Sequence, residues 1–274
     1  MTTLVKKPHQ GFTLLEAIIV IAITGIIAAV VAVFIVKPVQ GYVDSARRAE
    51  MTDTADTALR RISRDLHLAL PNSVRVSPDN LALEFLSTRT GGRYRVGGPG
   101  DALNFNNASD TSFEIFGPSI PFQATSPENQ NEIVIYNLGI TGADAYAGNT
   151  AATHNRRPYN GATGSVSTVV ITSSNPFPFD SPAHRFQVVD TPVSYICDLS
   201  AGTLTRYWGY VISSTQSVPP STTYHALLAK KVSACAFIYT PLTERNGLVT
   251  MRLSIAQSGE TITLYHEVHV NNVP

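Results

Sequence analysis

From Phe12 to Val36 the chain is apolar at nearly every position, with Glu16 as its one charge. A run of about 25 residues makes a helix roughly 37 Å long, enough to cross a hydrocarbon core of about 30 Å. After it come Pro38 and Gly41, where a helix can kink or open. A different pattern then begins. Ala55, Ala58, Leu59, Ile62, Leu66, Ala69 and Leu70 recur at three- and four-residue steps, one face of an amphipathic helix. Arg60, Arg61, Arg64 and Asp65 fall mostly on the other face, which predicts solvent there. Pro71-Asn72-Ser73 ends the stretch. One long helix over 12–70 is expected, its second half lying on a sheet.

Beyond residue 71 the period changes to two. β-prone runs appear at 74–76, 81–86, 132–136, 167–172, 186–189, 193–197, 204–212, 232–239, 248–255 and 261–270. In the last, Ile262, Leu264, His266, Val268 and Val270 share one face, and Thr261, Thr263, Tyr265, Glu267 and His269 the other. Asn246-Gly247 and Ser258-Gly259 are turn signals, so the C-terminal part is predicted to be an antiparallel meander. Polar stretches over 97–112 and 139–164 are expected as loops dressing the surface. The fold class is α+β: a long N-terminal helix packed on an antiparallel β head.

Composition changes this picture little. The 274 residues carry no net formal charge, so nothing points to nucleic acid or an acidic substrate. No cofactor is implied. Cys197 and Cys235 are the minimum for one disulfide; the alternative is two buried thiols. A head outside the cytoplasm favours the bridge. It would close a loop of about 37 residues, stabilising by roughly 3–4 kcal/mol on a chain-entropy model.

The N-terminus is more specific. A usual secretory signal has a short apolar core with its cleavage site after it. Here a short segment with Lys6 and Lys7 precedes a much longer run. A carboxylate at a membrane helix centre costs about 2.5–3.5 kcal/mol, less near an end, so Glu16 demands a partner. Gly11-Phe12-Thr13-Leu14-Leu15-Glu16 resembles the processing site of type IV prepilins and of the pseudopilins of type II secretion. The resemblance implies a pilin-like fold, and cleavage between Gly11 and Phe12 by a prepilin peptidase that also N-methylates Phe12. It implies that Glu16 pairs with the new amine of a neighbouring subunit during assembly. It divides the chain into a removed leader (1–11), a membrane and filament-core helix (12–36), an amphipathic continuation (37–70) and a β-rich periplasmic head (71–274). Lys6 and Lys7 hold the leader in the cytoplasm by the positive-inside rule. Lys37, Arg47 and Arg48 follow the run, so orientation rests partly on the resemblance.

Softer likenesses are Ala69–Arg75, Tyr207-Trp208-Gly209-Tyr210 and the C-terminal Glu267–Pro274. These resemble the minor pilins of the mannose-sensitive haemagglutinin pilus of Gram-negative cells. The expected role is a structural subunit that primes or caps pilus assembly. Its partners would be the peptidase, other minor and major pilins, the inner-membrane assembly platform and lipid. The alternatives are a large minor pseudopilin and a tip adhesin.

An enzyme is not expected, since no spacing suggests a nucleophile elbow or triad. His266 and His269 are three apart in a predicted strand and point to opposite faces, so no shared metal is expected. Gly91–Gly98 lacks the ending of a phosphate loop and is expected as a flexible turn or hairpin. Asn107-Ala108-Ser109 fits a glycosylation triplet of a kind common by chance.

Overall fold

The computed structural model describes residues 11–172, 177–241 and 245–274. Chain contacts divide it into two units, one ending at Glu50 and one running from Met51 to Pro274.

One helix, α1 (Leu14–Leu66), runs uninterrupted through Pro38 and Gly41. Pro38 has no N–H to give, so the carbonyl one turn back loses its usual partner, but the helix continues. Up to Val43 its side chains are exposed nearly throughout. From Met51 the pattern is amphipathic: Met51, Ala55, Ala58, Leu59, Ile62 and Leu66 are buried. The helix stops four residues before the expected Leu70. Its last turn tightens, with Leu68 N–H bonding Asp65 O and Ala69 N–H bonding Leu66 O. A strand then competes for the backbone: Leu70 N–H donates to Leu86 O, and Thr88 N–H to Leu68 O.

The strands are β1 (Arg75–Val76), β2 (Ala82–Arg93), β3 (Ser112–Glu114), β4 (Ile120–Phe122), β5 (Glu132–Ile135), β6 (Arg156–Pro158), β7 (Gly164–Val166), β8 (Thr168–Val170), β9 (Arg185–Asp198), β10 (Thr203–Tyr207), β11 (His225–Lys230), β12 (Val232–Pro241), β13 (Asn246–Gln257) and β14 (Glu260–Asn271). A seven-stranded sheet runs β1-β2-β9-β10-β11, with β5 and β6 added beside β9. A three-stranded sheet runs β12-β13-β14. β3 pairs β8 and β4 pairs β7 as small ribbons.

β9 organises the larger sheet, pairing β2 along one side and β5 and then β10 along the other. It merges two expected runs through Pro192. On the second side, pairing with β5 ends at Val189 and pairing with β10 starts at Ser194, so Pro192 falls where that side has no partner.

The principal core joins the second half of α1 to both larger sheets, with Phe85, Tyr195, Leu204, Phe237, Met251 and Val268 among its members. Burying each such side chain contributes about 1.5–3 kcal/mol. Cys197 on β9 and Cys235 on β12 form a disulfide, Cα–Cα 6.3 Å, that joins the two sheets. Asp65 departs from its solvated expectation. It accepts hydrogen bonds from Tyr195 Oη (2.7 Å) and Arg206 Nε (2.8 Å), tying the helix to β9 and β10. Beside this carboxylate, burial holds the Tyr195 hydroxyl well above the usual tyrosine range.

The polar stretches do not merely dress the surface. Leu103 belongs to a second core with Phe113, Ile133, Tyr159 and Phe186. Ala145 and Tyr146 join Leu70, Leu86 and Val134 in a third cluster. Arg157 is fully buried and donates to the carbonyls of His154 (2.6 Å) and Arg156 (2.7 Å). Burial pushes its guanidinium down to about 10. Arg156 pairs with Glu132 at 3.0 Å. Burial raises the Glu132 carboxyl, and Arg156 opposes that shift.

Two turn expectations change. Gly91 and Gly92 are not a loop but the end of β2, opposite Gln187 and Phe186. A Cβ at Gly91 would stand 2.7 Å from Phe186 O, so the strands meet too closely there for a side chain. Asn246 and Gly247 are already in the ladder, Gly247 opposite Pro241; residues 242–244 fall outside the described residues. Ser258-Gly259 does form the β13–β14 hairpin. Both residues have positive φ (52° and 81°), as a two-residue turn between twisted strands requires.

Candidate functional site

Lys6 and Lys7 lie outside the described residues. Gly11 and Phe12 precede the helix, and both are exposed, Phe12 to 75%. Nothing lies within 4 Å of where a Gly11 Cβ would stand. The peptide bond between them is therefore outside the helical ladder and open to approach.

Thr13 is the N-cap. Its carbonyl accepts the first helical bond from Ala17 N–H (3.1 Å), and its Oγ1 accepts from Glu16 N–H (3.3 Å). Sequence reasoning missed this role, although Thr-x-x-Glu is the signature of a capping box. The cap fixes where α1 begins and leaves Glu16 in its first turn, where the helix dipole favours a carboxylate. Glu16 is exposed.

From Ala17 to Val36 the helix is apolar on all sides. Thr24 is polar, but its Oγ1 donates to Val20 O at 2.6 Å and needs no outside partner. The helix is long and apolar enough to cross a membrane. A face apolar all round is suited to lipid or to other helices, not to water.

The remaining sequence candidates lie in the head. Cys197 and Cys235 come together in the disulfide. His266 is half-buried and His269 exposed, on opposite faces of β14. Among the described residues, no group of three or more His, Cys, Asp or Glu side chains could hold a metal. In Asn107-Ala108-Ser109, the Asn107 side chain accepts the Ser109 N–H (3.0 Å) in an exposed local turn.

The prokaryotic N-terminal methylation motif matches residues 6–32. That stretch contains Gly11, Phe12, the Thr13 cap, Glu16 and the start of the apolar helix. No curated protein and no solved structure matches this chain. Among the described residues, one long apolar helix and the antiparallel β head make an α+β, pilin-like arrangement, and the motif at its N-terminus is of the type IV prepilin kind.

Proposed function

We propose that this chain is a minor pilin of a type IV pilus, of the mannose-sensitive haemagglutinin type, which primes assembly or caps the filament. The observation that carries this reading is the methylation motif across 6–32, set on an open Gly11–Phe12 bond and a capped helix. A prepilin peptidase cuts between Gly11 and Phe12 and methylates the Phe12 amine. Residues 1–11 are removed, 12–36 span the inner membrane, 37–70 continue towards the head, and 71–274 lie in the periplasm. In the filament, Glu16 pairs with the Phe12 amine of a neighbour. Losing one partner of such a desolvated pair costs about 3–5 kcal/mol, enough to reject a subunit out of register. The apolar helix exchanges lipid for the helices of other pilins, delivered by the inner-membrane platform. A head of this size, with three apolar clusters, favours a minor subunit over a bulk one that must pack densely.

Mass spectrometry of the N-terminal peptide, from sheared surface filaments, tests this. The expected result is a peptide beginning at methylated Phe12. An intact Met1, or cleavage after Val36, would overturn the prepilin reading. Methylated Phe12 found only in the cell envelope would move the protein to the pseudopilins of type II secretion.

A further inference from the structure

β14 is the outer strand of the three-stranded sheet, paired with β13 on one side and with no strand on the other among the described residues. Exposed edges are usually blunted by lysine, proline, a bulge or short length. β14 shows none of these. Its 12 residues contain no Lys, Arg, Pro or Gly, and its register with β13 is unbroken from Glu260 to Asn271. The edges at β11 and β12 are managed. β11 ends in Lys230 and its pairing with β10 shifts register at Leu204/Thr205. β12 is covered where Phe237 N–H donates to Asn80 O and Val232 N–H to Gly202 O.

Beside this open edge lies a groove of about 650 Å³ lined by Thr57, Arg60, Ser63, Arg64, His67 and His266. Its walls are the exposed flank of α1 and the inner face of β14, where Ile262, Leu264 and His266 are only half-buried. Arg60 has a carboxylate, Asp56, at 2.6 Å. Asp65 is committed to Arg61, Tyr195 and Arg206. The side chains of Arg64, His67 and His266 have no hydrogen-bond or ion-pair partner among the described residues. The groove thus has cationic and protonatable groups in excess of its own carboxylates.

We infer that the β14 edge and this groove together receive an extended acidic segment of a neighbouring pilin-like subunit. The segment adds a strand to the sheet. Main-chain bonds to the edge hold it, and alternate side chains, about 6.8 Å apart on the inner face, bring carboxylates to Arg64 and His67. That the segment comes from another subunit rests on the pilin reading. The N-terminal peptide judges that reading independently of the binding described next.

The test uses the full chain in detergent and three fluorescent peptides: alternating Glu/Val, the same peptide N-methylated at alternate residues, and its Lys/Val counterpart. The expected result is saturable anisotropy for the Glu/Val peptide alone, weakened at least tenfold by Arg64→Glu. Arg64 is exposed, so this variant is expected to fold. Retained Trp208 fluorescence checks that, and Arg252→Glu, at an exposed position on β13 away from the groove, serves as the charge control. No saturable binding of the Glu/Val peptide overturns the proposal. So does equal binding of the N-methylated peptide, which would mean a charge patch without strand addition. So does equal weakening by Arg64→Glu and Arg252→Glu, which would mean only a general field.

Discussion

Along α1, the side chains from Leu14 to Val43 are exposed almost without break, whereas from Met51 every third or fourth one is buried. The first stretch offers Ile, Val, Leu and Phe on all sides; the second confines its apolar side chains to one stripe. A soluble monomer rarely leaves an apolar surface of such extent uncovered. The difference teaches where burial comes from. The head supplies its own cover for the second stretch. The first must find it outside the chain, in lipid or in other apolar helices. On the proposed reading the same secondary structure serves stability in one half and association in the other, and substitutions should separate the two.

The largest effect is expected at the disulfide, which belongs wholly to the head. Cys197 and Cys235 are 38 positions apart and join the two larger sheets. Replacing both by alanine should cost about 4 kcal/mol, chiefly by freeing the unfolded chain. Urea unfolding of the full chain in detergent, followed by Trp208 fluorescence, measures it. The first stretch of α1, up to Val43, should keep its amide protection throughout. If both regions melted together, the contrast between them would fail.

A matched pair of isoleucines sharpens the contrast. Ile62 is fully buried, while Ile23 is 52% exposed. Ile62→Ala should destabilise the head by about 3 kcal/mol, counting both lost transfer energy and cavity. Ile23→Ala should leave the unfolding midpoint unchanged, within the roughly 0.5 kcal/mol typical of surface changes. Its cost should appear instead in the yield of sheared filaments. A large loss of head stability from Ile23→Ala would show that the exposed half is not independent.

At the helix start the expected effect is smaller and local. Thr13→Ala removes the Oγ1 acceptor of Glu16 N–H and should cost about 1 kcal/mol of helix stability there. Hydrogen exchange at Glu16 and Ala17 should quicken about fivefold, with Thr13→Ser restoring protection. The head should be unaffected. Unchanged exchange would mean that another group fixes the helix start.

These outcomes also bear on what was legible in the sequence. The two-period pattern separated helix from head, and the alternation from Thr261 to Val270 survives residue by residue in β14. The amphipathic stripe named residues that belong to a core, from Ala55 to Leu66. Less legible were β3, β4, β6, β7 and β11, most of them three residues long, which is too short for a period to register. Their positions depend on distant partners, as when Phe113 on β3 meets Val169 on β8. Arg157 was hidden for a related reason. A buried arginine looks like a surface arginine until its carbonyl partners are in place. The Thr13 cap was legible from its spacing to Glu16 and was passed over because the same residues carry the processing signal.

The smallest effect expected is an acid-dependent one at the β1–β2 turn. Asp79 Oδ1 accepts from Ser77 Oγ (2.5 Å) and Leu81 N–H (3.1 Å). These bonds favour the ionised form and hold the Asp79 carboxyl below its ordinary 3.8. A carboxyl whose folded pKa is lowered contributes stability above the unfolded value and loses it as pH falls through the folded one. The contribution is therefore complete at pH 5 and should vanish as the pH drops below 3.8. Asp79→Asn should lower the urea midpoint slightly at pH 6, and the two proteins should converge towards pH 2. Because Asp79 is exposed, solvent screening keeps the difference small. An equal gap at both pH values would mean that the asparagine variant lacks something other than the charge, such as the fit of the turn itself. No gap at either would mean that Ser77 Oγ, which also accepts the Ala82 N–H at 2.9 Å, holds this turn alone.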